Sequence, residues 1–226
     1  KDRSVRDVSR SSTNIINVGA FIGDTDWEGM PANTNVYFHT IAVDKTFVPF
    51  FNIKMVAGQN FTDAVADSTH FIINQAAVAQ MGLTHPVGKK LRVGRTKGII
   101  TGVVQDFNIT SLHQKIEPVI LTFAPDKAGR IYVKTNAASA ARALDAANRV
   151  WKQFDNENPI YTSFLDDDFD ALYRSEQRTG ALFNVFAAIA IIISCMGLFG
   201  LATYTAQVKT REIGIRKVLG ANVTGI

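Results

Sequence analysis

Cysteine is nearly absent from this sequence, occurring once in 226 residues, at Cys195. A single thiol excludes a disulfide framework and leaves no C-x-x-C pair for metal or redox chemistry. Charge is absent over one long stretch: between Arg178 and Lys209, residues 179–208 contain no Asp, Glu, Lys, Arg or His. A buried helix of a soluble domain seldom runs this far without a charge. Its centre, Leu182 to Ala206, would form a helix of roughly 37 Å, against a hydrocarbon core of roughly 30 Å. The stretch is therefore read as a transmembrane helix, and everything else by its side of the membrane.

Histidine is also sparse. His39, His70, His85 and His113 are scattered, with no HExxH or other pair at ligand spacing. A basic face for nucleic acid is lacking too. The formal charge is +4, and residues 209–226 alone, with four bases and one acid, account for +3 of it. Basic residues therefore report topology here and exclude a nucleic-acid partner. Lys209, Arg211, Arg216 and Lys217 follow the span closely, which marks the C-terminal flank as cytoplasmic and places residues 1–178 outside. Without an initial Met or a signal peptide, the chain is read as a fragment with further membrane segments on either side.

Before the span, periodicity describes an α+β domain. Residues 1–12 are polar and read as a flexible lead-in. Strands are expected at 14–19, 35–43, 71–73, 91–93, 98–105, 119–123, 130–134 and 160–165, with a loop over 23–34 and a segment 53–56 leading into a turn at 57–59. The run 35–43 is apolar on both alternating sets and should lie inside its sheet. Asn74 is placed to cap a helix over 75–81 and Gly82 to end it. A helix over 137–154 should bury Leu144, Ala147, Trp151 and Phe154, which recur on one face. Asp166, Asp167 and Asp168 suit the positive end of a helix that continues as a stalk into the membrane.

Motifs for chemistry fail on spacing. Gly82 to Lys90 resembles a phosphate loop but has five residues between its glycines, and Lys90 stands where the hydroxyl belongs. The acids at 166–170 lack EF-hand spacing, and no G-x-S-x-G elbow occurs. Asp106, at a strand end, suits a turn cap better than a general base. No catalytic, cofactor or metal site is expected.

Two patterns remain. Ala187, Ala190, Ser194 and Gly197, with Gly200 beside them, put small residues on one face of the span, where another membrane helix could approach closely. After it, Val208 to Ala221 reads as a short amphipathic helix: Lys209, Glu212 and Arg216 form one stripe and Val208, Ile215 and Leu219 another. Physics alone leaves open whether that helix lies on anionic lipid or binds a protein.

The run Arg211-Glu212-Ile213-Gly214-Ile215-Arg216-Lys217-Val218-Leu219-Gly220-Ala221, directly after a glycine-containing span, resembles the signature of the FtsX-like permeases of MacB-type ABC transporters. Ala57-Gly58-Gln59 with Phe61, Phe71 to Met81, Pro86-Val87-Gly88-Lys89 and Gly102-Val103-Val104-Gln105-Asp106-Phe107 resemble its periplasmic core domain, in a Bacteroidetes-type pattern. The resemblance implies a two-lobed α+β extracytoplasmic domain over residues 1–178, with mixed sheets and packed helices and an inserted outer lobe at about 68–124. A transmembrane helix over 179–208 and a cytoplasmic coupling segment over 209–226 follow. It further implies a bacterial inner-membrane permease subunit whose Arg211, Glu212, Gly214, Ile215, Arg216 and Lys217 meet a separate ABC ATPase, and whose span packs against other permease helices or a second permease half within the lipid. ATP hydrolysis would reside only in that partner. The competing reading is an extracytoplasmic sensor that signals through one helix.

Overall fold

The computed structural model describes residues 4–16, 18–31, 34, 36–109, 115–155 and 157–220, with side chains other than those of 171–178 and 211–213. The chain forms two units, Lys1–Asp168 and Phe169–Ile226.

In the first unit ten strands join one mixed sheet: β1 (Asp7–Ser11), β2 (Phe21–Ile22), β3 (Thr25–Trp27), β4 (Phe38–Val43), β5 (Met55–Gly58), β6 (His70–Asn74), β7 (Lys90–Val93), β8 (Thr96–Val104), β9 (Val119–Phe123) and β10 (Arg130–Lys134). Their order is β10-β1-β4-β9-β6-β8-β7-β3, with β2 also on β4 and β5 also on β8. The β4–β9 and β6–β8 pairs are parallel. Helices α1 (Phe47–Phe50), α2 (Gln75–Met81) and α3 (Ala140–Phe154) complete the domain. This is the α+β class expected from the sequence.

The central strands are apolar on both sides because both faces are covered. Phe71, Ile73 and Ile120 pack with Ala77 and Met81 of α2. On the other face Ile41, Ile72 and Leu121 are fully buried, as is Phe47 of α1. Strands buried on two faces read as continuous hydrophobic runs, which is how 35–43 and 71–73 look in the sequence.

Asn74 ties this centre together. Its Oδ1 accepts from the N–H groups of Ala77 (3.0 Å) and Val119 (2.9 Å), and its Nδ2 donates to the Glu117 carbonyl (2.9 Å). One side chain thus caps α2 and holds the start of β9. Gly82 ends α2 at φ +66°, a left-handed conformation that costs glycine little. The β7–β8 hairpin pairs Val93 with Thr96, so its turn is Gly94-Arg95, tighter than the four residues the sequence suggested.

Asp67 is a second organising polar group. It is buried, and its Oδ2 accepts from the N–H groups of Thr62, Asp63 and Ala64 and from the Thr62 hydroxyl, while Oδ1 meets His70 Nδ1 at 2.8 Å. Burial pushes this carboxyl upward, but the hydrogen bonds from His70, Thr62 and Ala64 outweigh it and hold the group below its usual range. A depressed folded value stabilises the fold above the ordinary Asp range near 3.9, and that stability is lost as pH falls through the folded value. Asp67→Asn should therefore lower stability by about 2–3 kcal/mol at neutral pH and flatten the acid limb of unfolding below about pH 4. Urea titrations at pH 7 and pH 3 with an equal gap between variant and parent would refute this.

Several expectations are corrected. Of the expected strand at 14–19, the described residues 14–16, 18 and 19 are not in a strand; the strand lies at Asp7–Ser11, inside the region read as a flexible lead-in. Its buried residues are Ser9 and Ser11, so it has no apolar period to read, and their hydroxyls bond to Asp44 and to the Thr13 carbonyl. The loop over 23–34 contains β3, whose ladder is supplied by β7. Residues 160–164 carry no strand, and Leu165 already begins a helix. On α3, Leu144, Ala147 and Trp151 are half-buried, but Phe154 is 84% exposed and Ala143 is the buried residue.

Candidate functional site

The two functional patterns of the sequence fall on one element. Helix α4 (Leu165–Val218) has 54 residues and no break at Gly180, Gly197, Gly200 or Gly214. At 1.5 Å per residue it is roughly 80 Å long. It is longer than the stalk and span expected from the sequence, because the segment after the span continues it.

Asp166, Asp167 and Asp168 occupy its first turn, where carboxylates offset the helix dipole. Asp168 also accepts from Asn14 Nδ2 and from the Ser163 hydroxyl, each at 3.2 Å. Thr179–Thr210 is long and apolar enough to cross a membrane; its most apolar 18-residue window has a mean hydropathy of 2.5 and none of that window is buried. Three of its threonine hydroxyls fold back on the helix: Thr203 donates to the carbonyls of Phe199 and Gly200, Thr205 to that of Leu201 and Thr210 to that of Ala206. In hydrocarbon such internal bonds remove the cost of an unsatisfied donor.

Ala187, Ala190, Ser194 and Gly197 are exposed and lie within an arc of roughly 80° at 100° per residue, with Gly200 a further 60° or so around. A Cβ added at Gly197 or Gly200 would meet nothing within 4 Å. Packing among the described residues therefore does not require glycine at either position.

The same holds at Gly214, where a Cβ would also enter open space. A mid-helix glycine costs about 1 kcal/mol relative to alanine, and no contact among the described residues offsets it. Around it Ile215, Arg216 and Lys217 are exposed, as are Val208 and Leu219 of the apolar stripe. Arg216 and Lys217 stand in the last turn, at the negative end of the helix dipole. Gly220, at φ +88°, follows the helix end, its N–H bonded to the Lys217 carbonyl. The side chains of Arg211 and Glu212 lie outside the described residues, as does Ala221.

The other candidates are occupied with structural work. In the phosphate-loop lookalike, Gly88 N–H donates to the Ile100 carbonyl and Lys89 Nζ pairs with Glu28 at 2.5 Å. That hydrogen bond from Lys89 holds the Glu28 carboxyl below its usual range. Asp106 accepts from the Ala76 N–H at 2.8 Å, a second cap on α2 that the strand-end reading anticipated only as a turn cap. His39 reaches Glu117 at 2.5 Å, His70 is held by Asp67, His85 is exposed, and His113 lies outside the described residues. Among the described residues no three His, Cys, Asp or Glu side chains gather as a metal site. Sequence reasoning missed the Asp67 network, because its partners are mostly backbone N–H groups, which leave no residue-type signature.

The family model described as MacB-like periplasmic core domain matches residues 2–150. Among curated proteins, the chain is 24% identical over 208 residues to a macrolide export ATP-binding/permease protein MacB of Sodalis glossinidius, covering 84% of the chain and 31% of the relative. It is also 24% identical over 194 residues to the pyoverdine export ATP-binding/permease protein PvdT of Pseudomonas putida, covering 79% of the chain and 30% of the relative. The chain thus spans about a third of the length of these relatives. A solved permease-protein domain from Porphyromonas gingivalis superposes with a TM-score of 0.50 at 19% identity, covering 69% of this chain and 67% of that one, a likeness of fold.

Proposed function

The chain belongs to the MacB-like periplasmic core domain family, and from that premise we propose that it is part of an ABC-transporter permease that carries ATP-driven motion to an extracytoplasmic domain. The observation that carries this reading is α4. One unbroken helix includes the end of the domain sequence, a membrane-length apolar stretch and the basic segment after it.

In this reading residues 1–178 lie outside the cytoplasm, residues 179–208 cross the inner membrane, and residues 209–226 face the cytoplasm. Gly214, Ile215, Arg216 and Lys217, with Arg211 and Glu212, dock on a separate ABC ATPase subunit. Closure of that subunit on ATP is passed along α4 and rearranges the outer domain, in which residues 68–124 act as an inserted lobe. The small-residue face at Ala187, Ala190, Ser194, Gly197 and Gly200 packs on a neighbouring permease helix or a second permease half, and lipid surrounds the rest. The work is export or extraction of a substrate, and the names of the two relatives, which couple ATP binding to export, support that class. A receptor signalling through a single helix gives no role to the open glycines at 197, 200 and 214.

Topology is the first test. With Cys195 changed to Ser, a cysteine at Ala138 should react with a membrane-impermeant maleimide in intact cells, whereas one at Thr210 should react only after the inner membrane is opened. Labelling of both from outside would overturn the orientation, and with it the docking of 209–220 on a cytoplasmic ATPase.

A further inference from the structure

Beyond β10 the sheet has no further strand among the described residues. The pair it makes with β1 is inverted in polarity. Register puts Ser9, Ser11 and Tyr132 on one face, where both serines are fully buried, and Val8, Ile131 and Val133 on the other, exposed at 41%, 64% and 41%. A strand pair that buries hydroxyls and leaves its apolar residues in solvent presents a surface ready for cover.

Register across the sheet identifies which face this is. Ser11 lies opposite Val43, Ile41 opposite Leu121, and Leu121 opposite Ile72. Val8, Ile131 and Val133 therefore share the other face with Phe71, Ile73 and Ile120, the face on which α2 packs. That helix lies in the crossover between β6 and its parallel neighbour β8. Strand β10 runs opposite to β6, and its free edge points the opposite way along the sheet. A crossover of the same hand, leading from β10 to a parallel strand on its free edge, lays its helix on the α2 face.

The segment that follows β10 has the parts for that crossover. Helix α3 leaves Val150 and Phe154 exposed, and after a short link come residues 160–165, Ile-Tyr-Thr-Ser-Phe-Leu. Their composition is that of a strand, yet residues 160–164 are unpaired, and Tyr161 is 93% exposed. The link of five residues, 155–159, is of ordinary length for a helix-to-strand connection of roughly 2–6 residues. We propose that residues 160–165 are a strap that closes on the free edge of β10 as an eleventh, parallel strand, with α3 settling over Val8, Ile131 and Val133. Closure releases the Ser163 hydroxyl from Asp168 and leaves the Asp155 turn, bonded to the N–H groups of Glu157 and Asn158, in place.

The test uses the full chain in membranes with Cys195 changed to Ser. Val133→Cys is combined with Ser163→Cys or Phe164→Cys, the two nearest parallel registers, and oxidised mildly. An intramolecular disulfide should form in at least one pair. It should be absent for Val133→Cys with Lys97→Cys, since β8 lies five strand positions from β10, roughly 24 Å away. Adding Ile131→Asp, at a position already exposed, should abolish the crosslink while circular dichroism stays unchanged. No disulfide in either register, only intermolecular disulfides, or a crosslink indifferent to Ile131→Asp would each overturn the proposal.

Discussion

In the proposed assembly with an ABC ATPase, Gly214→Leu should leave the protein inserted and folded while substrate-dependent stimulation of that ATPase falls by roughly 5- to 150-fold, the range for a coupling free energy of about 1–3 kcal/mol. Leucine is a better helix former than glycine, and a side chain at this position enters open space, so the helix itself should tolerate the change. What it blocks is close approach by another surface. A second variant separates docking from transmission. Two residues inserted between Thr179 and Gly180 rotate everything after them by roughly 200° and advance it by about 3 Å, and should uncouple as strongly. Seven inserted residues restore the phase to within about 20° and should recover part of the coupling. Arg216→Lys keeps the charge but loses the planar fork that grips a carboxylate, and is expected to have an intermediate effect. If Gly214→Leu and the two-residue insertion both kept full stimulation in reconstituted membranes, α4 would be a passive anchor.

Asn74→Ala is expected to cost about 3–5 kcal/mol, a large share of the stability of a domain this size. The side chain is fully buried, and its removal strands the N–H groups of Ala77 and Val119, both in residues with no exposure, and frees the Glu117 carbonyl. Asn74→Ser keeps an acceptor for the helix cap but is too short to serve β9 as well, so it should fall between parent and alanine. Trp27 gives a local readout, because its indole N–H donates to the Met81 carbonyl at the last residue of α2. Its fluorescence in denaturant should report loss of α2 packing at a lower midpoint in the variant. A shift below about 1 kcal/mol would mean that water or a local rearrangement satisfies the stranded groups.

What the sequence determined by itself is whatever closes its hydrogen bonds locally. The ends of α2 were legible because Asn74 and Gly82 are chemical caps within the helix's own turns. The span was legible because a helix in hydrocarbon satisfies its backbone internally and needs only an apolar surface. Strands β9 and β10 matched their expected bounds, since apolar and β-branched runs flanked by breakers define them. The small-residue strip and the stripe around Gly214 were also read from spacing alone, and the family resemblance from the motif at 211–221. Only the tertiary structure decided which polar residues become sheet and which apolar residues stay uncovered. Asp7–Ser11 is a strand because β10, more than a hundred residues later, supplies its ladder and because Asp44 receives the Ser9 hydroxyl. Residues 160–164 have strand composition but no partner in this arrangement, and composition cannot provide one.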